Sequence, residues 1–523
     1  MPMKLPRAEE LAIAEVLTMP RALSQSLIAC AVALSLGAGS AQAQEGAGGG
    51  SGVTIVPGFS VSQTATDNNR LSSTNKDAAL ITALTPSISI ASHGGRVIGT
   101  LDYSISGLIY LKTDQQNTVQ QSLTARGQAE LVDKRLFVDV SATIGQQAVS
   151  AFGPQSPDRT LANPNQSEVA SLYIAPYLVG RIGDLASYEL RGSATATSAK
   201  DSSLGDSKAG GGSLRLDGLG GRKLGWWASL STQRSRFGFD GAENENTVAN
   251  FGLRYLPDPD LQLKVNAGPE RTDYLGFLHK GENYGANANW KPSPRTDLLV
   301  DWQYHDYGNT HMISFDHRMA RSAIRYADTK NVYAGNQTRS AGAGTNYDLL
   351  FLQFSSIEPD PVKRDVLVRS FLQALGLSPD APISSGSLAS APTMTRTQQL
   401  SLSLEGLRTT MTGLLSQTTT ERLGAIIPTG GDLAQSNRIV MRGGSLTIAH
   451  RLTPISSANL TLSAQRSRSD DTGLRTMLRS LIANWTTQLG PRANASLGAR
   501  HSDFEGSPSY TENAVFGNLA WRF

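Results

Sequence analysis

Between Val53 and Phe523 apolar and polar side chains alternate along the chain in runs separated by polar turns. In Asn250–Tyr255, Phe251, Leu253 and Tyr255 alternate with Asn250, Gly252 and Arg254. After Pro257-Asp258-Pro259-Asp260, residues Leu261, Leu263, Val265 and Ala267 alternate with Gln262, Lys264 and Asn266. A period of two predicts strands with one greasy and one wet face. Proline is confined to the turns, where it removes no ladder hydrogen bond. The same unit recurs around Lys291-Pro292-Ser293-Pro294, Leu452-Thr453-Pro454 and Gly490-Pro491. Leu446 and Ile448 are expected to pair with Leu460 and Leu462. Leu400, Leu402 and Leu404 share one face, and Gln399, Ser401, Ser403 and Glu405 the other. In Asn513–Phe523, Val515, Leu519, Trp521 and Phe523 fall on one parity, and Asn518 and Arg522 on the other. Trp521 and the final aromatic Phe523 read as the signal taken by barrel-assembly machinery.

Short turns alternate with longer polar loops, an asymmetry that stacked sheets do not require. A transmembrane barrel does require it, since short turns lie on the periplasmic side and long loops outside. The runs predict an all-β fold, a transmembrane antiparallel β-barrel of about 22 strands within a range of about 18–24. The composition agrees: 523 residues carry 39% hydrophobic residues and 51 Gly, with the hydrophobicity spread thinly. A strand apolar on one face needs only about 9–11 residues to cross a bilayer. The net charge of +3 and the lack of any basic run exclude a nucleic-acid partner.

Three segments depart from the pattern. Residues 1–43 read as a secretory signal peptide, with Met19 as an alternative start. Its basic start is Arg21, its apolar run Leu27–Leu36 and its cleavage site Ala41-Gln42-Ala43. Cys30, the single cysteine, lies in that apolar run, so the mature chain is expected to hold no thiol and no disulfide. Residues 44–52 form a Gly/Ser linker, and residues 53–523 the barrel. Within it, residues 331–394 predict a helical insert on the long-loop side. Asp360-Pro361 starts a helix, Leu367, Phe371, Leu372 and Leu375 recur at helical spacing, and Gly376 and Pro379 end it. Tyr347–Phe351 predicts a second short helix. The insert reads as a surface loop domain or as a plug or lid in the lumen.

Charges on the polar faces are expected to line an aqueous lumen. Arg191, Arg254, Lys264, Arg321, Arg325, Arg451, Arg500 and Arg522 supply cations, and Glu189, Asp301 and Glu405 counter-charges. Arg or Lys facing lipid at the midplane would cost roughly 2–4 kcal/mol. These residues read either as a salt-bridged interior or as a mildly basic conduit. Trp226, Trp227, Trp290, Trp302, Tyr304, Trp485 and Trp521 predict interfacial girdles, with burial in a core as the competing role. His305, His311 and His317 are spaced for one face of a single strand, but the turn expected near Gly308-Asn309 separates them. No nucleotide loop, catalytic motif or cofactor site emerges.

Two stretches stand out: Ile55-Val56-Pro57 through Thr66-Asp67-Asn68, and Tyr347-Asp348-Leu349-Leu350 followed by Pro359–Arg364 and Phe371-Leu372. In these the chain resembles the outer-membrane β-barrel proteins associated with PEP-CTERM/exosortase and exopolysaccharide systems, and on these the resemblance rests. It also rests on the hairpin Leu400–Thr419 with its Leu407-Arg408-Thr409 turn, although Gly406-Leu407-Arg408 departs from the family's tighter turn. It implies an outer-membrane pore or scaffold, in contact with outer-membrane lipid and linked to polysaccharide and periplasmic export components. A barrel hydrolase and an adhesive surface protein are the rival readings.

Overall fold

The computed structural model describes residues 52–523 apart from 201–203, 205, 220, 222, 238–242, 275–276, 334–346, 348–350, 352–386, 389–390 and 425–429. The signal-peptide segment and most of the linker lie outside the described residues. So does the helical insert, except for Asn331, Val332, Tyr333, Tyr347, Phe351, Ser387, Leu388 and residues 391–394.

Alternation becomes strand throughout. The first strands are β1 (Val53–Thr66), β2 (Ala79–Gly94), β3 (Val97–Leu111), β4 (Thr118–Val132), β5 (Leu136–Ala148), β6 (Gln166–Ile182) and β7 (Ala186–Ala199). Next come β8 (Ser207–Gly218), β9 (Leu224–Phe237), β10 (Glu243–Asp258), β11 (Leu261–Tyr274), β12 (Phe277–Ser293), β13 (Thr296–Tyr304), β14 (Thr310–Arg318) and β15 (Ser322–Tyr333). The last are β16 (Thr393–Glu405), β17 (Thr409–Arg422), β18 (Arg438–Thr453), β19 (Ser456–Ser469), β20 (Arg475–Gly490), β21 (Ala493–Glu505) and β22 (Tyr510–Arg522).

Each strand pairs antiparallel with the next, and β1 pairs with β22 from Gly58↔Arg522 to Thr66↔Ala514. The result is a closed barrel of 22 strands with no free edge. The expected cross-strand partners meet: Leu446 faces Leu462, and Ile448 faces Leu460. One turn is tighter than the proline pattern predicts. Strand β10 continues to Asp258, leaving Pro259-Asp260 to connect it to β11. A register shift between Tyr255 and Asp258 accommodates Pro257, which cannot donate to a regular ladder.

The even-to-odd connections are tight turns gathered at the end of the barrel where β1 starts and β22 finishes. Gly95 (φ 77°) and Gly183 (φ 51°) supply the left-handed backbone that two of them need. Most connections at the other end are longer, the described ones including 67–78, 149–165 and 430–437.

The two parities diverge in surroundings. Phe251, Leu415, Leu497 and Val515 point outward and stay 56–61% exposed. Their inward neighbours are polar, among them Asn266, Asn484 and Thr486, all buried. An uninterrupted apolar belt round a polar interior is stable only in lipid, so this is a transmembrane barrel. Aromatic pairs mark the belt: Trp226 stacks on Phe251, Phe59 on Trp521, and Tyr284 on Tyr304. Trp227, beside Trp226, takes the opposite parity and lies under Arg215 inside the barrel, so it is no part of a girdle.

Candidate functional site: the lumen and its arch

Inward parity on β5–β15 assembles a charged wall in the half of the barrel nearer the short turns. Arg191 bonds Asp139 (2.7 Å) and Glu189 (2.9 Å) and stacks over Tyr177 at 4.1 Å. Arg215 binds Asp217 through two nitrogens, at 2.7 and 2.9 Å. Arg325 approaches Asp316 at 3.6 Å. Arg254 and Lys264 share the wall, with no ion pair found for either among the described residues; the Arg254 guanidinium lies across Gly225.

Between them runs a chain of amides. Asn266 donates to Asn250 and to Gln303, both at 3.0 Å. Gln303 and Asn287 donate to Asp301 at 3.3 and 2.8 Å. Across the lumen, Glu405, Arg451, Asn459, Asn494, Asn518 and Arg522 line a recess of about 430 Å³. Arg321 belongs instead to the β14–β15 turn, outside the wall. On most of the β5–β15 wall acid and base sit side by side, so there the interior is salt-bridged.

Arg500 has a different role from the lumen contact its parity suggests. It is 6% exposed, with Asp158 at 2.8 Å and Glu512 at 2.8 and 3.0 Å. Glu512 is fully buried and also accepts from Thr66 (2.9 Å). Asp158 lies on the connection between β5 and β6, residues 149–165, which folds across the inside of the long-loop end. Ser150 Oγ and the Ala151 amide donate to Asp432 (2.6 and 2.7 Å) on the short helix Asp432–Gln435. Ala151 packs with Leu433 and Ile439. Gln465 donates to Gln155 at 2.8 Å, and Tyr510 to the Gln155 carbonyl. Tyr110 and Gln120 donate to the Thr160 and Arg159 carbonyls (2.7 and 2.9 Å). Leu161 enters an apolar cluster of Leu71, Ile81, Leu108, Tyr110, Phe504 and Tyr510.

The connection is therefore an arch fixed to the inner wall from β18 through β22 and, past the 67–78 connection, to β2–β4. Asn165 holds its two feet together, donating to the Ser150 and Pro154 carbonyls. A second segment reaches inward nearby. Ser387 forms a parallel bridge with Ala148, and Leu388 packs on Val149, Val169 and Ala199. Strand β16 begins at Thr393, and five residues span at most about 18 Å.

The arch was hidden in the sequence because its anchors come from distant strands. Its signal was present: Ala151, Phe152 and Leu161 are apolar in a long loop punctuated by Pro154, Pro157 and Pro164. The three histidines separate. His305 bonds Glu270 (2.8 Å) and stacks on Tyr307, His311 bonds Asp328 (3.1 Å), and His317 contacts Thr296 (2.9 Å). Among the described residues no group of three or more metal-ligating side chains forms.

The site is thus the lumen of a transmembrane β-barrel, narrowed at its long-loop end by a fixed arch. No protein-family model matches the chain, and no curated protein matches it. Among solved structures it is similar to the FrpB iron transporter from Neisseria meningitidis, at 10% identity and TM-score 0.37 over 90% of this chain and 82% of that one. It is also similar to OccK3 from Pseudomonas aeruginosa, at 11% identity and TM-score 0.32 over 90% and 95%. A third is the ferric citrate transporter FecA in its unliganded form, at 9% identity and TM-score 0.35 over 89% and 78%. At these distances no solute or residue role carries over.

Proposed function

We propose that the protein is an outer-membrane pore, with its short turns in the periplasm and its long loops outside, and that its cargo is an exopolysaccharide. The observation that carries the pore reading is the division of faces: ion pairs and amides inside, an apolar belt outside. A polymer rich in hydroxyls suits a wall of amides and balanced charges, which exchange hydrogen bonds with it without trapping it. The resemblance to exopolysaccharide-associated barrels points the same way.

Movement would be diffusive or driven from the periplasm. Purified protein in planar bilayers is expected to give ohmic conductance, and replacing residues 152–163 with a short Gly/Ser linker is expected to raise it. Silence from both proteins, when both are folded, would exclude a pore. Deleting the gene is expected to lower surface polysaccharide, and an unchanged amount would exclude the cargo while leaving the pore intact.

A further inference from the structure

Although the sequence contains no basic run, the sheet gathers arginines on the lipid-facing parity of three neighbouring strands. Arg438 and Arg442 on β18, Arg466 and Arg468 on β19, and Arg475 and Arg479 on β20 are all exposed and all lie toward the long-loop end. The register sets two like-charged pairs directly opposite each other: Arg442↔Arg466 and Arg468↔Arg475. Like charges in direct cross-strand opposition destabilise a sheet unless an anion lies between them.

Some of the charge is neutralised internally. Arg438 meets Glu421 (3.2 Å) and Asp470 (3.7 Å), Arg468 meets Asp470 (3.3 Å), and Arg479 meets Glu505 (2.8 Å) and Asp503 (3.6 Å). Arg442 reaches only the neutral Gln417 at 2.8 Å, and no carboxylate lies within ion-pair distance of Arg442, Arg466 or Arg475 among the described residues. Immediately below, Leu446, Leu462 and Leu481 form an exposed apolar row in register.

An ordinary solvated rim would look the same all round the barrel, and this one does not. On β9 and β10, Arg234 and Arg236 face Glu245 and Glu243 one for one. On β3 and β4 the same end is apolar, with Ile109, Leu111 and Val119 exposed. Arg271 and Lys280 also stand opposed and exposed on β11 and β12, but as one pair, whereas β18–β20 gathers six arginines on one face.

We propose that this face binds the phosphorylated headgroup of a membrane lipid. Phosphate groups lie between the opposed arginines, whose guanidinium forks suit phosphate oxygens, and the acyl chains lie over Leu446, Leu462 and Leu481. A membrane lipid is favoured over a soluble anion because cations and apolar row are continuous on a surface that faces the bilayer. The proposal holds whether or not the lumen conducts.

The test uses the full-length barrel in detergent micelles, with native mass spectrometry as the readout. The probes are bis-phosphorylated lipid A, its dephosphorylated form and inorganic phosphate. Lipid A is expected to stay bound, and Arg442→Gln/Arg466→Gln/Arg475→Gln to weaken it about a hundredfold, since each basic residue near an anionic surface contributes about a factor of five. The dephosphorylated form is expected to bind little, and equimolar phosphate not to compete. The single variant Arg466→Gln guards against misfolding of the triple variant. In lipid-free detergent it is expected to melt no lower than the parent, because it removes a repulsion, and to bind lipid A more weakly. Undiminished lipid A binding by either variant, or equal binding of the dephosphorylated form, would overturn the proposal. Full displacement by phosphate would make the site one for a free anion.

Discussion

Arg500 and Asp67 carry opposite kinds of electrostatics. Arg500 is enclosed with two carboxylates, so Arg500→Ala leaves Asp158 and Glu512 buried without their cation. Removing one partner of a buried ionic group costs about 3–5 kcal/mol, here charged to the arch rather than to the barrel. The expected result is faster amide exchange across residues 151–162 and a noisier, larger conductance, with the barrel's thermal transition little changed. Asp67 lies just beyond β1, at the seam where the first and last strands meet. Burial raises its pKa, but hydrogen bonds from the Asn513 amide and side chain and the nearby Lys76 outweigh this and hold it below the ordinary value of 3.8. A depressed folded-state pKa stabilises fully above the unfolded value, and the effect fades as pH falls through the folded one. Exchange protection at the seam is therefore expected to drop below about pH 4, and Asp67→Asn to remove that step. A step of equal size in the variant would place its origin elsewhere.

At the scale of strands and turns, period-two patterning was enough to locate the hairpins, the register of Leu446 with Leu462 and the strand number. Each of those depends on local sequence and on the pleat. The arch depends on contacts from β2–β4 and β18–β22 to one loop, and no local pattern specifies such pairings. Parity likewise put Arg500 on the inner face but could not show that Asp158 would cover it, and it brought Arg321 into the wall although a turn intervenes there. Glycine marks one further strand-level constraint. A Cβ on Gly268 would collide with the backbone carbonyl of Ala249 on β10. Gly268→Ala is expected to force β10 and β11 apart and to lower the yield of folded, heat-shifted barrel on gels. A wild-type yield would mean that the two strands can separate at no cost.

For the molecule as a whole, asymmetry between ends and between flanks decides function. The apolar belt was visible in the sequence because it needs only alternate positions. The lateral inequality of the exterior was not, because register decides which arginines of β18, β19 and β20 stand opposed on one face. Inside, the arch follows the wall from β18 round to β4, on the flank away from the amide chain and the charge ladder of β8–β13. In the proposed pore, an arch along one flank makes the passage an eccentric slot, and a solute that crosses it brushes the strands opposite. Traffic through such a slot should be throttled by a bulky side chain at Asn287 or Gln303, and single-channel current through Asn287→Trp is expected to fall well below that of the parent. A polymer threading this slot would meet the protein on one side and water on the other, and so could turn about its own axis as it advances.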